Sequence, residues 1–264
     1  MQLNQIIDNV IDVSKIAGDF IRQERKTFDP DKIEYKGLND LVSYVDKTAE
    51  EKIVAGLQKI LPEAGFITEE KTLNKIGDRF NWIIDPLDGT TNFIHGLPTF
   101  SVSIALQEYG EPVLGVVYEV NQDECFSAHR DDVAYLNGKA IKVSNIPTIE
   151  KSLIATGFPY YDFSYQERYI KLFTELMRNC HGLRRIGSAA VDLAYTACGR
   201  FEGFYEYNLN AWDIAAGIVI VKQAGGEVVN FNGGNEVLNT RELLATNGKI
   251  TAEMLEYIEK YFIV

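Results

Sequence analysis

The chain has 264 residues, 46% of them hydrophobic and 24% charged, with a formal net charge of −12. That apolar fraction suffices for a large buried core, as one domain or as two tightly packed halves. The acidity excludes any general attraction to nucleic acid or anionic membrane surfaces, since no basic run is longer than a pair such as Arg184-Arg185.

Three cysteines, Cys125, Cys180 and Cys198, occur without a CxxC. An odd number argues against a disulfide framework or a cysteine zinc site and makes a reducing cytoplasm the expected compartment. His95, His129 and His181 form no HxH or HxxxH pair, so any metal is expected to be held by oxygen. No apolar run approaches the roughly 18–20 residues that span a bilayer. The opening segment carries acids and has apolar residues at helical spacing, with no basic n-region followed by a solid apolar block, and is not expected to be a signal peptide.

Apolar residues from Leu3 to Ile21 recur at spacings of three and four and predict a helix ending near Arg25. A loop with EYKGLND follows, then a second helix marked by Val42 to Ile60 and stopped by Pro62 and Gly65. GFIT and NWIID read as strands. FSVSIALQEY, EPVLGVVYEV and ECFSAHR form a β-rich middle, and Asn137-Gly138 signals a tight turn. Beyond about residue 146 strands and helices alternate. KSLIATG, LRRIG, FEGFYE, GEVVNF and ELLAT are the strands; 164–179, 188–198, 211–224 and 251–262 are the helices. Two α/β-layered halves are expected, 1–146 and 147–264, sharing one continuous core.

The strongest chemical signal is Asp85-Pro86-Leu87-Asp88-Gly89-Thr90-Thr91, following the apolar run Asn81–Ile84. Two carboxylates three residues apart, with Pro86 restricting the backbone, can aim oxygens at one point, as hard cations require. Backbone N–H groups of Gly89 and Thr90 are placed to hold phosphate oxygens. Read alone, DPLDG is equally a surface turn. Glu69 and Glu70 are adjacent and point in different directions, so at most one faces a shared metal. Asp213 and Asp46 at helix starts are each also readable as N-terminal acids that cap or complement the dipole. Lys36 lies in a polar loop where a lysine is usually solvated. A chain this acidic needs positive charge to take a phosphate, and divalent cations would provide it.

Together these segments closely resemble the inositol monophosphatase family of metal-dependent, lithium-sensitive phosphatases. GFITEE resembles the family's segment with the first metal-binding Glu, WIIDPLDGTTNFIHGLP its central signature and WDIAAGIVIVKQAGG its second signature. Thr68 stands where Gly is common, and Ser188 where Thr is common. The resemblance implies an αβαβα five-layer sandwich of the sugar-phosphatase type, assembled as a homodimer. It implies that Glu69, Asp85 and the Leu87 carbonyl hold one Mg2+ and that Asp85, Asp88 and Asp213 hold a second, with a third, weaker ion near Glu69. Gly89 and Thr90 would bind phosphate, with Asp88 and Thr91 beside them. Ala189, Glu206 and Asp213 would contact the hydroxyl-bearing part of the substrate. Thr90 and Glu69 would orient the attacking water, with Asp46 behind Thr90. Lys36 matches a family loop position.

The implied reaction is hydrolysis of a small polyol or sugar phosphate, inositol 1-phosphate first among them, by metal-activated water without a phosphoenzyme. A haloacid-dehalogenase-type phosphatase needs its two Asp residues two apart rather than three. Phosphatases of 3'-phosphoadenosine nucleotides tend to have Lys after DGT, and fructose-bisphosphatases tend towards DGSSN. A binding or regulatory protein that keeps the fold is a further reading, and some family members bind transcription machinery. Direct nucleic-acid binding and a membrane location are not expected.

Overall fold

The computed structural model describes residues 3–28, 33–37, 40–73, 75–159 and 163–262, with backbone alone over 33–37 and 40–42. Helix α1 (Ile7–Lys26) turns Val10, Ala17 and Ile21 inward. Helix α2 (Tyr44–Ile60) starts two residues later than the apolar pattern predicts because Ser43 caps it, and Asp46 closes the box by accepting from the Ser43 N–H. Between them, where the sequence reads as loop, lies an antiparallel hairpin of β1 (Ile33–Gly37) and β2 (Asp40–Ser43). Gly37 and Asn39-Asp40 are turn formers that hide two short strands. Lys36 falls in β1, and its side chain lies outside those described.

Seven strands follow in sequential order: β3 (Gly65–Thr68), β4 (Phe80–Asp88), β5 (Ser101–Glu108), β6 (Glu111–Glu119), β7 (Glu124–His129), β8 (Tyr135–Leu136) and β9 (Lys139–Ala140). Only the β3–β4 pair is parallel. A second, five-stranded sheet is built from β10 (Leu153–Thr156), β11 (Gly182–Arg184), β12 (Gly203–Tyr207), β13 (Glu227–Val229) and β14 (Glu242–Thr246), in the order β11-β10-β12-β14-β13. The remaining helices are α3 (Thr90–His95), α4 (Gln166–Asn179), α5 (Ala189–Ala197), α6 (Ala211–Gln223), α7 (Val237–Thr240) and α8 (Thr251–Phe262).

Side-chain alternation along the strands dictates the layering. On β4, Trp82 and Ile84 join the core shared with α1 and α2, whereas Ile83 joins that of α5 and α6. On β14, Leu243 and Ala245 face α5 and α6, whereas Leu244 faces α4 and α8. The order is therefore helix pair, seven-stranded sheet, helix pair, five-stranded sheet, helix pair: the αβαβα sandwich. Because α5 and α6 lie between two sheets, both are apolar nearly all round. Among the described residues, no helix is long and apolar enough to cross a membrane.

A further local feature differs from the sequence reading. DPLD is not a turn beyond the strand but the end of β4 itself. Asp85 pairs with Ser103 and Asp88 with Ser101, so three steps on β4 oppose two on β5. This bulge, where Pro86 removes an N–H from the ladder, brings the two carboxylates towards the same end of the sheet.

Candidate active site

The pocket lies where β3 and β4 end and where α3, α5 and α6 begin. It is lined by Glu69, Asp85, Leu87, Asp88, Gly89, Thr90, Thr91, Ser188, Ala189, Glu206 and Asp213, together with Gly157, Phe158, Pro159, Arg185, Gly187, Asp192 and residues 207–210. Of the expected site residues whose side chains are described, Asp46 is the one that does not line it, and Lys36 falls outside them. Asp46 sits behind the wall, where the Thr90 hydroxyl lies 2.9 Å from Asp46 Oδ1 and 2.9 Å from the Leu87 carbonyl, with one proton to give to either.

Backbone and hydroxyl donors fix the carboxylates one oxygen at a time. Asp85 Oδ1 accepts from the Leu87 N–H at 2.9 Å. Asp88 Oδ2 accepts from the Ser188 hydroxyl and the Ala190 N–H, both at 2.7 Å. Asp213 Oδ2 accepts from the Asn210 N–H at 2.6 Å, so the residue caps α6 and also walls the pocket. Gly89 adopts φ 95° at the start of α3 and turns the chain from β4 into the helix, a conformation that disfavours any residue with a Cβ. Asn92 bridges the Thr99 and Ile186 carbonyls at 2.8 Å each, tying α3 to the second half of the chain.

Burial and mutual repulsion dominate the electrostatics. Desolvation, then the charges of Glu69, Asp88 and Asp213, hold Asp85 well above the usual carboxylate range. Desolvation, then Asp213, Glu70 and Asp46, does the same to Glu69, and the Glu69 and Asp85 carboxyls hydrogen-bond to each other. Burial pushes Asp88 up to about 6 against the opposing Ser188 and Ala190 donors. Burial and Asp88 push Asp213 up to about 7. Burial pushes Glu206 up to about 8, opposed by Arg185 and reinforced by Asp213 and Asp88. Arg185 is the one lysine or arginine among the described residues lining this pocket.

These donors are all oxygen, lie close together and lack matching cationic side chains, which suits a hard divalent ion. The carboxylates are not drawn into a closed cage: among the described residues, no three His, Cys, Asp or Glu side chains are gathered tightly enough to hold an ion as they stand.

Three residues at or beside the pocket escaped the sequence reading. Glu50, fully buried on α2, accepts from the Glu70 N–H, the Thr72 N–H and the Thr72 hydroxyl, and so anchors the loop after Glu69. Arg185 was visible only as half of a basic pair. Asp192, 2% exposed on α5, carries no outward sign in the sequence. Glu70 does not line the pocket.

The model of the inositol monophosphatase family matches residues 2–261. The chain is 39% identical to Nus factor SuhB of Escherichia coli (strain K12) over 254 residues, covering 96% of this chain and 95% of that protein. It is 39% identical to the inositol-1-monophosphatase of Mesorhizobium japonicum over 229 residues, 86% of each. The crystal structure of extragenic suppressor protein suhB from Bartonella henselae superposes with a TM-score of 0.92 at 37% identity, covering 97% of this chain and 99% of that one. The chain belongs to the inositol monophosphatase family.

Proposed function

We propose that this protein is a Mg2+-dependent phosphatase of a small polyol or sugar phosphate, most directly inositol 1-phosphate, acting in the cytoplasm as a homodimer. The observation that carries this reading is the meeting of Glu69, Asp85, Asp88 and Asp213, from separate segments of the chain, in one pocket at the N-termini of α5 and α6.

In this reading Glu69, Asp85, the Leu87 carbonyl, Asp88 and Asp213 hold the ions. Bound Mg2+ supplies Lewis-acid charge that neutralises the acidic pocket and the ester phosphate and makes water a better nucleophile. The Gly89 and Thr90 N–H groups at the start of α3 receive phosphate oxygens. Glu69 and the Thr90 hydroxyl orient the attacking water, and Asp46 fixes that hydroxyl by accepting its proton. Ala189, Glu206 and Asp213 face the alcohol that leaves. The one serine among the described lining residues, Ser188, donates its hydroxyl proton to Asp88. In this reading water rather than a side chain is the nucleophile, and trapping of a covalent aspartyl phosphate would refute it.

The test is phosphate release, with and without Mg2+, from inositol 1-phosphate, glycerol 2-phosphate, fructose 1,6-bisphosphate, NADP and 3'-phosphoadenosine 5'-phosphate. Asp88→Asn is expected to lose on the order of 10³-fold in kcat/KM while keeping its circular dichroism spectrum. Near-normal turnover by that variant refutes the assignment.

The similarity to a protein named Nus factor SuhB supports a second role alongside catalysis, in association with transcription proteins. Retention of RNA polymerase or its accessory factors on the immobilised protein tests it.

A further inference from the structure

Helix α5 reads AAVDLAYTA, apolar except for Asp192, Tyr195 and the two-faced Thr196. Thr196 returns its hydroxyl to the Asp192 carbonyl at 2.9 Å, the usual fate of a buried helical threonine. The Asp192 carboxyl has no such outlet. It is 2% exposed, it lines the pocket, and its Oδ1 has no hydrogen-bond partner. An acid without a partner inside an apolar helix costs stability that any aliphatic residue would restore. Packing therefore does not account for it.

Its surroundings are distinctive. The charges acting on it are those of Glu206, Asp88 and Arg185. The Glu206 carboxyl stands hard against the backbone of Gly157, where an added Cβ would lie 1.9 Å from Oε2. The next residue, Phe158, carries the Arg185 guanidinium 5.5 Å above its ring. Polar groups of both signs thus wall one side of the pocket, beside Asp88.

We propose that Asp192 is a specificity-determining residue that, together with Glu206, hydrogen-bonds hydroxyl groups of the substrate's alcohol portion. This rests on the polyol-phosphatase reading and extends it to a particular chemistry, an alcohol with neighbouring hydroxyls. A carboxyl pair can accept from or donate to such hydroxyls, which an ester lacking them cannot exploit.

The experiment compares kcat/KM for inositol 1-phosphate with kcat/KM for 4-nitrophenyl phosphate, an ester without hydroxyls, in the Mg2+-loaded full chain. The ratio of the two does not depend on the fraction of protein that is folded. It is expected to fall about tenfold in Asp192→Ala and about threefold in Asp192→Asn, whose amide keeps part of the hydrogen bonding, with the loss in KM rather than kcat. Should Asp192→Ala fail to fold, the isosteric Asp192→Asn decides. A ratio within about twofold of wild type in the folded variants overturns this proposal alone. A wild-type protein that turns over 4-nitrophenyl phosphate but no polyol phosphate, or neither ester, overturns the polyol reading and this proposal with it.

Discussion

The Ser188 hydroxyl donates to Asp88 Oδ2 at 2.7 Å across a separation of 100 residues. The same oxygen atom of Ser188 accepts from the Val191 N–H at 3.3 Å and so caps α5. One side chain therefore starts the central helix and orients a carboxylate on β4. Ser188→Ala is expected to raise the Mg2+ concentration for half-maximal activity by about 10–100-fold, as loss of a group supporting a metal ligand does. It should also lower Tm by a few degrees, because an N-cap contributes about 1 kcal/mol. Ser188→Thr should restore both. A variant that melts lower but needs no more Mg2+ would show that the serine serves only the helix.

How much of this was legible depends on where each residue lies relative to the chain's own signals. Asp85 and Asp88 stand three residues apart in a segment bounded by an apolar run and Gly89, and Asp213 opens a helix, so local chemistry exposes them. Asp192 lies inside a helix whose existence is clear but whose direction of burial is not, and Glu50 is a fully buried charge on α2, where an apolar pattern gives no sign of one. Since α5 is covered by sheets on both sides, its hydrophobic pattern has no polar face from which to read orientation. Arg185 becomes a pocket residue only when β11 places it beside Phe158. The β1–β2 hairpin was missed because turn formers outnumber apolar residues at its centre. The bulge in β4 was hidden by proline, which reads as punctuation and here sits within the strand.

The raised acids make the metal-free protein sensitive to alkali. Asp88 at about 6, Asp213 at about 7 and Glu206 at about 8 keep protons that the unfolded chain loses near pH 4. The folded state therefore binds more protons than the unfolded state over this interval, and stability falls with pH. Their contribution is complete below about pH 4 and is lost as pH rises through about 8. In chelator, calorimetry is expected to give a higher Tm at about pH 6 than at about pH 8.5. Mg2+ should raise Tm at both, and by more at the higher pH, where cations no longer compete with protons. A Tm indifferent to Mg2+ at the higher pH would contradict the proposed ligand set.

Helix α4 leaves an apolar stripe uncovered. Ile170 is 50% and Met177 56% exposed, and Phe173 lies between them at helical spacing, with Phe158, 43% exposed, packed against Phe173. A second copy of the chain is the proposed cover, since such contiguous patches are uncommon on surfaces meant to stay wet. Met177→Glu is expected to halve the mass measured by light scattering at micromolar concentration. An unchanged mass would place any subunit contact elsewhere.

Thr90 offers the sharpest separation of catalysis from binding. Its hydroxyl is within 2.9 Å of both Asp46 Oδ1 and the Leu87 carbonyl, while its backbone opens α3. Asp46 is itself held by the Ser43 N–H at 2.8 Å and the Ser43 hydroxyl at 2.7 Å, so the acceptor cannot swing away to follow a new donor. Thr90→Ala keeps the backbone N–H that would hold phosphate and removes only the hydroxyl. Turnover should drop about 10²-fold or more with KM little changed, the pattern of an interaction made in the transition state. Thr90→Ser, which retains the hydroxyl, should recover most of the rate. Equal activity of the Ala and Ser variants would mean that Asp46 and Thr90 form a structural pair, and that water is oriented by Glu69 alone.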